Sequence, residues 1–303
     1  MGGAEDGLAP GIGAGPGLYD GFVTVSVSQS AQVGPYVLLR ELAPGVLGSR
    51  WLVQHERTRE NHVLYRVRLP EAVAERPGLR VEFERAWTQT MTAAARLRDA
   101  HILPVTAWGS DADGEPYAIT PFTGDADGIV TLDRLLRLKG GSLSVEESKH
   151  ALEQLLGAVQ AAHAQGQVHG ELSMSEIQVD RRGALFVELY GVARSLGLAA
   201  RPAGQGPSFG DDQRTEVRAI AAIGYQLVTG LAVEHPVIRA SNVVLGLDRS
   251  WDDYFETGLA LHGSPGFRTA AHAATAVRSL RLLNTRSSVG RVSVMFRSLL
   301  QGR

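Results

Sequence analysis

The sequence predicts an α+β, bilobal fold: a small β-rich first lobe with one main helix, then a larger and mostly helical second lobe. Three observations carry that expectation. Apolar runs of strand length, separated by Gly, Pro and charged turns, fill most of the chain up to Pro121. Beyond Gly124 the apolar residues fall at helical spacing instead. The change comes once, near residues 122–130, as it does when strands and helices are segregated rather than alternated. With 303 residues, 44% of them hydrophobic, the chain can bury a sizeable core.

Residues 1–20 are rich in Gly, Ala and Pro and are expected to form a disordered leader. Their glycine run is no phosphate loop, because no strand precedes it and Pro16 interrupts it. Residues 21–29 alternate, with Val23, Val25 and Val27 set against Thr24, Ser26 and Ser28, the period of a half-buried strand. Further strands are expected at Tyr36–Leu42, Ser49–Gln54, His62–Leu69 and Tyr117–Pro121. Val81–Arg98 has helical composition without Gly or Pro. In the second lobe, Ser144 followed by Glu147 makes a capping box, and Leu152, Leu155, Leu156 and Val159 follow at helical spacing. Glu216–Thr229 carries another apolar stripe that stops at Gly230, and a helix is expected around Ala270–Leu283. The chain thus divides into a leader (1–20), a first lobe (21–124, with the extra strand), a second lobe (125–283) and a tail (284–303).

Composition excludes several function classes. Thirty basic residues against thirty-two acidic ones leave a net charge of −2, so no global field recruits nucleic acid or membrane. No apolar run approaches the roughly 20 residues of a membrane span, and no signal peptide is evident. Cysteine is absent, which rules out disulfides, thiolate metal sites and cysteine nucleophiles. A cytoplasmic location is expected. The nine histidines show no metal-binding spacing, and no Gly-x-Ser-x-Gly elbow is present. Only two lysines occur, Lys139 and Lys149, so no lysine chemistry is available in the first third of the chain.

Several strings, in order, resemble the bacterial Ser/Thr (Hanks-type) protein kinases across residues 34–283. Tyr36–Leu42 looks like the strand entering the Gly-rich loop, and His101–Gly109 like the segment after the first-lobe helix. Gly114–Gly124 is similar to the strand and hinge, with Thr120 at the gatekeeper position. Ala161–Leu172 resembles the catalytic loop, Val179–Gly183 the hairpin after it, and Leu189–Arg194 the start of the metal-binding motif. Glu216–Gly230 looks like the helix that anchors the catalytic loop. The resemblance implies a bilobal kinase-like fold with a nucleotide cleft between the lobes.

Phosphoryl transfer in that family needs a small set of charged groups held in place, and the matching positions here have changed. The glycine loop reads Ala43-Pro44-Gly45-Val46-Leu47-Gly48, and Arg50 stands where a β-branched residue packs on adenine. Arg50 is expected to fill that space, or alternatively to stack on the base. By the motif, Arg66 replaces the phosphate-binding lysine, or else is merely a snorkelling strand residue, and Leu64 replaces a small residue above the base; an Arg is no conservative stand-in for a Lys. The helix glutamate that should hold the cation falls at Thr90, unless Glu84 serves. In the catalytic loop, Glu171 stands for the aspartate, Ser173 for the lysine and Glu176 for the metal-binding asparagine, with Gln178 on the adenine floor. The Mg²⁺-binding aspartate is Leu189, which offers no ligand atom. Strand alternation is expected to turn the neighbouring Glu188 away. The segment 196–211 is short, rich in Gly, Ala and Pro and without an Ala-Pro-Glu string, and Ser208 is its one phosphorylatable residue. Glu216, a like-charge change, can still hold the catalytic loop, with His163 and His169 bracing it.

These changes predict a pseudokinase that binds no cofactor and no metal and works as a regulatory or scaffolding module. Its vestigial cleft comprises Gly45, Gly48, Arg50, Leu64, Arg66, Thr120 and Gln178. The expected partner is another protein, with an active kinase or a membrane-associated assembly among the candidates, and no nucleic acid. The alternative is a rewired phosphotransferase using Glu171, Glu176 and Arg66. Residues 281–303 carry five arginines and no acid, interleaved with Val292, Val294, Met295, Phe296, Leu299 and Leu300. That tail suits packing on the helical lobe, or else contact with a partner helix or an anionic surface.

Overall fold

The computed structural model describes residues 32–69, 71–75, 77–199 and 207–282. The expected leader, the strand at 21–29 and the tail at 284–303 lie outside the described residues.

The first lobe comprises β1 (Gln32–Val33), β2 (Tyr36–Glu41), β3 (Gly48–His55), β4 (Asn61–Val67), α1 (Glu71–Glu75), α2 (Pro77–Ala94), β5 (Ala107–Ser110) and β6 (Pro116–Pro121). The strands form one antiparallel sheet in the order β1-β2-β3-β4-β6-β5. Alternation along β4 sorts its side chains onto two faces. Val63, Tyr65 and Val67 pack with Phe83, Trp87 and Met91 of α2. Leu64 points the other way, into a cluster with Val33, Tyr36, Val53 and Ile119. Helix α2 starts four residues before the expected Val81, at a proline, whose missing N–H costs nothing at the first helical position.

The second lobe contains β7 (Val130–Thr131), α3 (Leu132–Leu138), α4 (Val145–Ala164), a 3₁₀ turn (Met174–Glu176), β8 (Ile177–Val179), β9 (Leu185–Val187), α5 (Val192–Ala199), α6 (Phe209–Thr229), α7 (Ala240–Val243), α8 (Ser250–Gly258) and α9 (Ala270–Ser279). The capping box on α4 forms as expected: Glu147 N donates to Ser144 Oγ at 3.2 Å, and Ser144 N to Glu147 Oε2 at 2.9 Å. Gly230 ends α6 in the left-handed conformation, φ 76°. That helix begins seven residues earlier than expected, because Ser208 caps it by accepting from Asp211 N at 3.2 Å. Part of the Gly/Ala/Pro-rich segment 196–211 is therefore helical, at its start in α5 and at its end in α6.

Helices α4 and α6 approach closely where α6 presents Gly224. A Cβ there would lie 2.7 Å from Leu152 Cδ2, so the contact requires glycine. Leu152, Leu155, Ile220 and Trp251 are among the fully buried residues of this core. No helix among the described residues is long and apolar enough to cross a membrane.

Candidate functional site

The cleft between the lobes is built around Arg50, which lies on the face of β3 that looks toward α2. Its antiparallel partner on β4 is Tyr65, which shares that face. Only 2% of Arg50 is exposed, so its guanidinium must find partners inside the protein. Toward its own lobe, Nη1 donates to the carbonyl of Pro44 at 3.2 Å, beneath the glycine loop. Toward the other lobe, Nη2 donates to the Ser175 carbonyl at 2.9 Å, lies 3.4 Å from Glu176 Oε1 and pairs with Glu188 Oε1. The Val46 N–H of the loop also donates to Glu176 Oε1, at 3.0 Å.

The remaining polar atoms of the cleft complete this network. Tyr65 donates its hydroxyl to Glu188 Oε2 at 2.5 Å, and Gln178 Nε2 donates to the same oxygen at 2.6 Å. Gln178 Nε2 also reaches Tyr65 Oη at 2.7 Å, while Thr123 of the hinge donates to Gln178 Oε1 at 2.5 Å. Burial opposes the Arg50 charge, but Glu188, Tyr65 and Glu176 outweigh it and raise the guanidinium pKa. Burial pushes the Glu188 carboxyl up, with Arg50 pulling against it. Burial also holds the Tyr65 hydroxyl well above its ordinary value, so it stays a donor.

Glu188 corrects one expectation outright. It faces the cleft, and its side chain is fully buried. Gln178 pairs across the hairpin with Phe186, so the period of 2 carries residues 178, 186 and 188 to the same side. The backbone then turns at Leu189, whose φ is 51°, and Leu189 enters the apolar cluster with Val63, Phe83 and Met91. The parity argument failed because the strand ends before position 189.

Two further assignments move. Arg66 and Leu64 do not line the cleft; they share the opposite face of β4. Arg66 Nε sits 2.9 Å from Asp111 Oδ2, and Leu64 packs in the outer cluster. Tyr65 takes the cleft-facing position instead. The missed signal was the register, since any residue paired opposite Arg50 must share its face. Thr90 lies on α2 but hydrogen-bonds Ser195, with 2.6 Å between the hydroxyl oxygens. Glu84, its proposed substitute, pairs with Arg80 within the helix.

The other expected residues fall as follows. Thr120 is fully buried and pairs with Val63 on the cleft face of the sheet. Gly45 and Gly48 close the glycine loop against each other, and a Cβ at Gly45 would lie 2.9 Å from the Arg50 guanidinium carbon. Ser173 lies 2.8 Å from Ser175 between hydroxyl oxygens, whereas Glu171 is exposed. Arg50, Glu176 and Gln178 are thus brought together, joined by the unforeseen Tyr65, Glu188, Thr123 and Ser175. The magnesium nucleotide that the resemblance implies does not fit these residues. The two carboxylates that face the cleft are engaged by Arg50, and Leu189 presents no oxygen.

Behind the cleft, the catalytic-loop scaffold is intact. Glu216 accepts from His169 N through both oxygens at 3.3 Å and lies 2.8 Å from His163 Nε2. His169 Nε2 bridges to the Glu188 carbonyl at 2.9 Å. Burial lowers the pKa of His169, so the ring is neutral at pH 7 and donates that bond.

Comparison with known proteins agrees with this geometry. The chain superposes on the crystal structure of the Mycobacterium tuberculosis PknI kinase domain with a TM-score of 0.63, covering 84% of this chain and 98% of that one at 20% identity. The fold is that of a protein kinase domain. Sequence relatives include the serine/threonine-protein kinase PknH of Mycobacterium tuberculosis, 23% identical over 270 residues and 80% of this chain. PknE of Mycobacterium bovis is 25% identical over 170 residues, covering 56% of the chain, and PknD of Mycobacterium tuberculosis 27% over 165 residues, covering 54%. These alignments span 41%, 28% and 23% of the respective relatives, so the chain matches less than half the length of each. No family model matches the chain.

Proposed function

We propose that this kinase-like domain is catalytically inactive, binds ATP weakly or not at all, and acts as a regulatory or scaffolding module through contacts with another protein. The observation that carries the reading is the Arg50 guanidinium, which engages Glu176 and Glu188 in the space a metal–triphosphate needs. Each charged group lost from a phosphoryl-transfer site removes several kcal/mol of transition-state stabilisation, and here the lysine, both metal ligands and the catalytic aspartate have all been replaced.

The rewired phosphotransferase built on Glu171, Glu176 and Arg66 has less support. Arg66 occupies the outer sheet face with Asp111, so it cannot meet a phosphate bound to a metal at Glu176. Thermal-shift titration of the chain with ATP, with and without Mg²⁺ or Mn²⁺, tests the proposal. The expected result is no metal-dependent rise in Tm and no label transfer from ATP. A large metal-dependent shift overturns it.

A further inference from the structure

Glu176 and Glu188 belong to different segments, the turn before β8 and the residue that follows β9. Both nevertheless aim a carboxylate oxygen at the same atom, Arg50 Nη2. The Ser175 carbonyl reaches that atom as well, at 2.9 Å. Glu188 is held in this pose from behind, since its second oxygen accepts from Tyr65 at 2.5 Å and Gln178 at 2.6 Å. Three oxygens, two of them anionic, converge on one buried point. Hard cations are bound by such oxygen sets, and here the cation is tethered to β3. Because the guanidinium comes from one lobe and the oxygens from the other, filling the site also closes the cleft.

We infer that Ser175, Glu176 and Glu188 form a cation site whose resident occupant is the Arg50 side chain, and that it accepts a divalent cation or a small guanidinium compound once that side chain is removed. The inference rests on the closed-cleft reading proposed above and deepens it. Arg50 is then a built-in counter-ion and an interlobe latch at once. Deleting it leaves two buried carboxylates without a counter-charge, held by neutral donors alone, an arrangement that favours capture of a free cation.

The test uses the full chain as wild type, Arg50→Ala and Arg50→Met, each titrated with Mn²⁺ and separately with 1-ethylguanidinium, without nucleotide. Bound Mn²⁺ is read by its electron paramagnetic resonance signal and stability by Tm. The wild type is expected to respond to neither. Arg50→Ala is expected to lose stability, to bind one Mn²⁺, and to regain several degrees of Tm with either ligand. Adding Glu176→Gln to Arg50→Ala should abolish the Mn²⁺ signal. If Arg50→Ala is recovered only when folded with 1-ethylguanidinium present, that dependence supports the site too. Arg50→Met keeps the stem in place, so Mn²⁺ binding there guards against a mere folding defect in Arg50→Ala. Silence of both variants toward Mn²⁺ and 1-ethylguanidinium overturns the inference, as does Mn²⁺ binding that survives Glu176→Gln. A wild-type chain that binds Mg²⁺–ATP sinks the closed-cleft reading itself, which is a separate outcome.

Discussion

Two buried polar networks meet at His169, and they have different histories written into their side chains. Behind the cleft, Glu216, His163 and His169 tie the catalytic loop to α6 within one lobe. Within the cleft, Arg50, Tyr65, Gln178, Glu176 and Glu188 tie one lobe to the other. The first network keeps the chemistry its positions need for folding, with a glutamate where the resemblance implies an aspartate. The second pairs its two carboxylates with a guanidinium of the same chain. Backbone-bracing groups and ligand-facing groups are therefore separable in this fold, although one residue joins them.

That separation makes a quantitative claim about stability. Removing Glu216 unpairs the buried His169 N–H and the His163 ring together. Glu216→Ala should cost about 3 kcal/mol in urea unfolding. Glu176→Gln should cost less, about 1 kcal/mol, because an amide oxygen still accepts from Val46 N and only the charge facing Arg50 is lost. If the order were reversed, the cleft rather than the catalytic-loop brace would be the main support of the domain, and the contrast would fail.

How far the sequence disclosed this arrangement depends on which physical signal each residue carried. The lobe order, the α4 capping box and the Gly230 stop were legible because periodicity and capping are local. Arg50, Glu176 and Gln178 were legible because a bulky or charged residue stood at a position that a motif fixed. Glu188 was misread because strand parity was carried through Leu189, and a left-handed turn at a non-glycine residue leaves no local trace. Arg66 and Leu64 were misplaced by one position on β4. Only the long-range pairing of Arg50 with Tyr65 reveals which face is which, and pairing registers are not local. Helix α5 was not among the expected helices.

The smallest expected effect probes the residue shared by both networks. His169 is fully buried, its Nδ1 has no hydrogen-bond partner, and burial lowers its pKa, against the opposing pull of Glu216 and Glu188. A histidine with a depressed folded pKa stabilises the protein fully above its unfolded value of 6.5, and that stability is lost as pH falls below it. Between pH 7 and 5.5 the wild type should therefore lose about 1 kcal/mol more than His169→Gln, whose amide can still donate to the Glu188 carbonyl. His62, lowered by burial, titrates with the same sign, and Glu188, raised by burial, with the opposite one. Both are present in the two proteins, so the difference between them reports on His169 together with its coupling to Glu188. Urea midpoints at the two pH values measure it. Equal losses would mean that burial does not depress the His169 pKa in the folded state, and a smaller loss in the wild type would mean that the ring is held charged, making the brace behind the cleft an ionic network of the same kind as the one that fills it.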